Sequence, residues 1–233
     1  MFWYSSDSLW TYIVLILPCA LFAMWASANV SSTYKKYARV MSKSGYTAND
    51  VVRNILNAYG LNHIRIEHVR GDLTDHYDPK ENVIRLSDTV DGKTNAAAIG
   101  VAAHEAGHAV QHAVGYAPIK VRNAIVPAVN IASSLSMPLF LIGLLFAMPT
   151  LTNLGILLFS GALVFQVVTL PVEFNASHRA ITILNQSAML DDDELVGAKK
   201  VLKAAAMTYV AAVISTALQL LRLILLSNSR RRD

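Results

Sequence analysis

Apolar and polar positions divide this chain into long uniform stretches and shorter periodic ones. Leu9 to Ala28 carries no charge over about twenty residues, the length that crosses a hydrocarbon core at ~1.5 Å per residue. Ala124 to Met148 and Leu151 to Leu170 are similarly apolar and are parted only by Pro149 and Thr150, which predicts a tight transmembrane hairpin. Asn123, Asn130, Asn153 and Gln166 are polar but uncharged, and a packed pair of spans tolerates them through interhelical hydrogen bonds. Ala204 to Leu226 is apolar except for Gln219 and Arg222, and can be read as a span or as a core helix.

Between the first and second apolar stretches the pattern becomes periodic. Thr47 reads as an N-cap with Asp50 three residues on, followed by Val51, Val52, Ile55, Leu56 and Tyr59 at helical spacing and Gly60 as a stop. Ile64 to Val69 and Val83 to Ser87 are β-branched. The turn-rich run Gly71 to Pro79 between them predicts a hairpin with an elaborated loop. From Thr94 to Val114 the chain is Ala-rich and apolar almost all round, which predicts a buried central helix ended by Gly115 and Pro118.

Composition agrees with a membrane protein. Of 233 residues 54% are hydrophobic and only 15% charged, against about 25% charged in soluble domains. Cys19 is the single cysteine, so neither a disulfide framework nor a CxxC metal site is available. A net charge of +4 without a dense basic stripe gives no nucleic-acid partner.

Trp3, Tyr4, Trp10, Tyr12 and Trp25 flank the first stretch as interfacial aromatics do. The absence of Lys or Arg from Met1 to Ser8 favours a retained anchor over a signal peptide. Lys35, Lys36, Arg39 and Lys43 follow it, which places residues 29–123 and 171–203 in the cytoplasm. Arg230, Arg231 and Arg232 obey the same rule only if the last apolar segment does not span, so that reading is favoured. The expected organisation is an anchor over 1–28, a cytoplasmic α+β unit over 29–123, a transmembrane hairpin over 124–170 and two further helices over 171–233. From residue 29 onward these parts form one integrated catalytic domain.

The buried helix contains His104-Glu105-Ala106-Gly107-His108. Two histidines at i and i+4 share a helix face and can reach one metal, while Glu105 stands where it can take a proton from metal-bound water. With seven histidines in the chain, random order places this pattern in roughly 0.4% of shuffles. Zinc, one per chain, is the expected cofactor, and a catalytic zinc needs a third protein ligand. His112 continues the i+4 row but reads as a core or supporting residue. Glu173 follows Pro171 beside an apolar run, where a carboxylate is costly unless paired or metal-bound. Pairing with Arg179 is its ordinary alternative, and His178 is a rival ligand or an oxyanion donor. His76, Tyr77 and Tyr209 are further candidates for that donor or for a supporting role. Val83 to Ser87 precedes the helix, so an extended substrate is expected to add to its edge.

His104 to Gln111, Asp75-His76-Tyr77-Asp78-Pro79 and Leu170-Pro171-Val172-Glu173-Phe174-Asn175-Ala176-Ser177 together resemble the YugP-type membrane zinc metallopeptidases over nearly the whole chain. The chain is more distantly similar to HtpX-type membrane gluzincins. The resemblance implies His104, His108 and Glu173 as zinc ligands and Glu105 as general base. Aspartate is expected where Asn175 stands, and the HtpX-type pattern has Asp where Ser177 stands; both positions would orient a ligand. The expected fold is a mainly α membrane protein with a small α+β zincin-like unit and a hairpin between the HExxH helix and the third-ligand helix. The expected function is a multi-pass cell-membrane zinc endopeptidase, its active site on the cytoplasmic side, acting on membrane or membrane-proximal proteins or peptides. The alternative is an inactive or regulatory membrane zinc scaffold. The lipid bilayer is its other partner, and the residues specify neither a membrane-protein partner nor a homo-oligomer.

Overall fold

The computed structural model describes residues 12–229. Trp3, Tyr4 and Trp10 of the expected aromatic belt, and Arg230 to Arg232, lie outside the described residues, as does the start of the anchor. A π-helical turn, Tyr12–Ile16, leads into α1 (Leu17–Tyr37). There follow α2 (Ala48–Ala58), β1 (Arg65–Val69), β2 (His76–Asp78), β3 (Val83–Ser87), α3 (Ala96–Ala113), α4 (Ala117–Leu145), α5 (Pro149–Gln186) and α6 (Asp192–Ser229). The chain divides into two units: one holds the described residues up to Ala26, Val121–Leu170 and those from Thr208 on, the other Ser27–Lys120 and Pro171–Met207.

In the first unit, α4 and α5 meet through small residues. A Cβ added at Gly155 would stand 2.6 Å from the Phe140 backbone nitrogen, so the two backbones touch directly there, as helices without a hydrophobic driving force between them require. Phe140 fills the contact and is buried. By length and composition α4, α5 and α6 are each able to cross a membrane. The mostly helical chain with its three apolar helices is therefore a membrane protein. The expectation that residues 204–226 stop short of spanning finds no support in length: α6 is one unbroken helix, long and apolar enough to cross a membrane. The helix boundary expected at Pro171 is also absent, because α5 runs through it.

The second unit is built around α3. The capping box forms as expected: the Thr47 hydroxyl accepts from the Asp50 N–H at 3.1 Å and the Asp50 carboxylate from the Thr47 N–H at 2.9 Å. This sets α2 so that Val51, Val52, Ile55 and Leu56 are all buried, each side chain contributing about 1.5–3 kcal/mol. They pack with Ile84 and Leu86 of β3 and with Ala98, Ile99, Ala102 and Ala106 of α3 in one cluster. Alanine and glycine along α3 let other helices come close. A Cβ at Gly100 would lie 3.0 Å from the Ala198 Cβ of α6. Buried Glu194 accepts from the backbone N–H groups of Lys43 at 2.8 Å and Asp191 at 3.0 Å, tying the segment after α1 to the start of α6.

The sheet corrects the sequence reading. The strand order is β1-β3-β2, with β1 parallel to β3 (Arg65 opposite Val83) and β2 antiparallel to β3 (His76 opposite Arg85). Ile64 to Val69 and Val83 to Ser87 are thus parallel neighbours and form no hairpin. The true hairpin is β2–β3, turned by Asp78, whose Oδ1 accepts from Lys80 N at 2.8 Å, with Asn82 at a positive φ of 52°. A three-residue strand was too short to show an alternation. Since β3 is central and paired on both sides, the edge expected to receive a substrate is not on Val83–Ser87.

Candidate metal centre

Asn95 starts α3 by accepting from the Ala98 N–H at 2.9 Å, and the helix then carries His104, Glu105 and His108 into the packed interior. The two histidine rings lie nearly perpendicular with centroids 4.7 Å apart. Their Nε2 atoms face each other at 3.1 Å, and Glu173 Oε2 of α5 lies 3.2 Å from the first and 3.5 Å from the second. One donor atom from each residue therefore falls within 4.8 Å of the others. Two imidazole nitrogens and one carboxylate oxygen are a donor set that zinc takes in catalytic sites.

The contact between helices is set by Gly107. A Cβ there would stand 2.8 Å from the Ala176 carbonyl oxygen, so only glycine lets α5 lie this close beside the histidines. Glu173 and Ser177, one turn apart on α5, are thereby presented to α3.

The remaining ring nitrogens are engaged behind the cluster. His108 Nδ1 lies 3.0 Å from Gln111 Oε1, and the Gln111 amide donates to Val172 O at 2.8 Å and Asn175 Oδ1 at 2.9 Å. With both amide protons spent, Gln111 Oε1 can only accept, so neutral His108 carries its proton on Nδ1 and turns the Nε2 lone pair to the cluster. Asn175 Oδ1 also accepts from Arg179 Nε at 2.8 Å. His104 Nδ1 meets the Ser177 hydroxyl at 3.1 Å. The two positions where aspartate was expected thus lie in the hydrogen-bond networks behind the histidines, with neutral oxygens in place of carboxylates. Gln111, wholly buried, closes the segment His104 to Gln111 quoted from the sequence, where it carried no assigned role.

Glu105 is buried beside the cluster. Burial raises the Asp75 carboxyl above the ordinary carboxylate range; the Ser87 N–H at 2.7 Å and hydroxyl at 2.8 Å oppose the shift, and the Glu105 charge adds to it. For His108, burial works to lower the pKa. The Glu173 hydrogen bond and the Glu105 and Glu173 charges outweigh it, leaving the ring raised. A metal and a proton would compete for the same Nε2.

The other candidates lie elsewhere. His76 is exposed on β2, its Nδ1 2.9 Å from Thr74 O and its Nε2 3.5 Å from Arg85. Tyr77 meets the His112 ring edge-on at 6.3 Å. His178 is exposed on α5, lining a cavity between α5 and α6. Tyr209 belongs to the other unit.

A family model described as "Putative neutral zinc metallopeptidase" matches residues 12–228. The chain belongs to this zinc metallopeptidase family. Membership makes it a hydrolase with zinc as its metal, and agrees with the resemblance drawn from the three motifs. It is 44% identical over 215 residues to "Putative membrane protease YugP" of Bacillus subtilis (strain 168), covering 92% of this chain and 96% of that one. No solved structure matches it.

Proposed function

We propose that the protein is a membrane-embedded zinc endopeptidase in which His104, His108 and Glu173 hold one zinc ion and Glu105 is the general base. The observation that carries this reading is the convergence of those three donors, with Glu105 buried beside them. Zinc bound there supplies Lewis acidity for a peptide carbonyl and lowers the pKa of water. Glu105 takes the proton of the attacking water on its carboxylate and delivers it to the amine nitrogen as the C–N bond breaks. Gln111 and Ser177 hold the histidine rings in the tautomer and direction this chemistry needs. Strand β2 is an edge of the sheet and packs on α3, so an extended substrate adds there by backbone hydrogen bonds. Lys35, Lys36, Arg39 and Lys43, just after the first apolar stretch, support a multi-pass topology with this site on the cytoplasmic side. Membrane proteins or segments near that face are then the natural substrates.

The test is to purify the protein in detergent, measure zinc per chain, and follow cleavage of casein and membrane-derived peptides beside Glu105→Gln. One zinc per chain and cleavage lost by at least ~100-fold in Glu105→Gln is expected for removal of a general base. Bound zinc without any Glu105-dependent cleavage would favour the regulatory scaffold.

A further inference from the structure

A cavity of about 780 Å³ lies between α5 and α6, within the unit that holds the metal cluster. Folded proteins bind small ligands in spaces of ~300–1,000 Å³. Its α5 wall includes Phe174, His178 and Ile181, at spacings that put them on one helix face. Ser177 also lines it, and the Ser177 hydroxyl is the group that meets His104 Nδ1. The cavity therefore begins at the residue that supports the metal cluster.

Its α6 wall repeats the spacing with Leu195, Lys199, Leu202, Lys203 and Ala206. The floor is apolar, and apolar side chains stand open toward it: Phe174 and Val196 are each 46% exposed. The short turn between α5 and α6 makes the helices antiparallel neighbours, so 174–178 lie beside 199–206 and 185–186 beside 192. The cavity is thus polarised. Lys199 and Lys203, one turn apart and exposed, flank the metal end, and Asp192 stands at the far end. Among the described residues neither lysine forms a salt bridge.

We infer that this cavity is the specificity pocket for the substrate. It takes an apolar side chain on its floor and pairs an acidic residue of the same peptide with Lys199 and Lys203. This rests on the peptidase reading above and names its substrate class: peptide segments in which a large apolar residue is flanked by Glu or Asp. A pair of cations with no salt-bridge partner among the described residues, beside exposed apolar walls in a cavity that Ser177 links to His104, fits an acidic-apolar segment and repels a basic one.

The experiment uses the full zinc-loaded protein in detergent and peptides containing Leu or Phe flanked by Glu, Gln or Lys. Wild type is expected to prefer Glu over Gln in kcat/KM by up to about fivefold per lysine, the upper range for exposed ion pairs. The double variant K199E/K203E should reverse the order, favouring the Lys peptides, with unchanged zinc content. The same order should appear in dissociation constants read by fluorescence anisotropy on Glu105→Gln, which needs no turnover. An unchanged preference in K199E/K203E that still binds zinc overturns the inference. So does loss of co-purifying phospholipid with the peptide preference unmoved, which assigns the cavity to lipid. If wild type cleaves no peptide, the peptidase reading falls, and the binding order on Glu105→Gln still decides the pocket.

Discussion

Gly107→Ala tests the geometry of the metal centre at its tightest point. The new Cβ would meet the Ala176 carbonyl oxygen at 2.8 Å, its carbonyl carbon at 3.4 Å and its Cα at 3.5 Å. An ordinary C···O approach is about 3.3–3.6 Å, so α5 must retreat by roughly 0.5 Å against a backbone that cannot rotate away. Overpacking of this kind costs about 1–3 kcal/mol, and replacing a mid-helix glycine by alanine returns about 1 kcal/mol. The net effect on the metal-free fold is a loss of about 0–2 kcal/mol. Zinc binding should suffer more. Ala176 adjoins Ser177 and lies one turn from Glu173, and metal–ligand distances tolerate only about ±0.2 Å. A loss of about 10–100-fold in zinc affinity follows, the range found when the groups supporting a ligand are disturbed. Chelator competition gives the affinity, and thermal unfolding with and without zinc gives the stability. A variant that binds zinc as wild type does and gains about 1 kcal/mol in the metal-free state would refute the argument, because the helix would then have had room for the methyl.

Gln111→Leu and Ser177→Ala should each weaken zinc binding by about 10–100-fold while leaving all three donors present; titration against a colorimetric chelator measures this, and wild-type affinity in both would show that the ring nitrogens need no such support. Glu173→Ala should lose most of its zinc and His178→Ala little, as read by metal analysis after gel filtration, and equal content in the two would displace Glu173 as the third ligand. The Asp50 carboxyl is held below its ordinary range by the Thr47 hydroxyl first and the Thr47 N–H second. A native value below the unfolded one adds stability above about pH 3.9 and loses it as pH falls through the native value. Thr47→Ala loses the N-cap hydroxyl, which costs about 1 kcal/mol near neutrality. In denaturant titrations at several pH values the gap to wild type should narrow in acid as the Asp50 carboxylate is protonated, and a constant gap would show that Asp50 is not linked to the cap.

Residues whose role depends on local spacing were legible before any coordinates. The i, i+4 histidines of α3, the Thr47–Asp50 box and the tight turn, which falls just before Pro149 and not on Pro149-Thr150, each depend on neighbours within a few positions, where helix geometry fixes what meets what. Glu173 could be singled out by its cost beside an apolar run, though its union with His104 is a contact across 69 residues. What stayed hidden depended on partners. The faces of β1 and β3 follow from their side chains, but direction does not, since a period of two looks the same in parallel and antiparallel pairs. Gln111 was hidden for a related reason. Its task is set by Val172 and Asn175, 61 and 64 residues away, and by which end of its amide they claim.

That separation also has a consequence in time. His104 and His108 leave the ribosome well before Glu173, and the sequence between them includes all of α4 and the apolar first part of α5. At 5–20 residues per second, the 69 residues from His104 to Glu173 take roughly 3–14 s to synthesise. Throughout that interval the nascent chain carries the HExxH segment without Glu173. On the proposed donor set, a chain cut between α3 and Pro171 keeps His104 and His108 but lacks Glu173, so such a fragment is expected to hold zinc more weakly than the full chain.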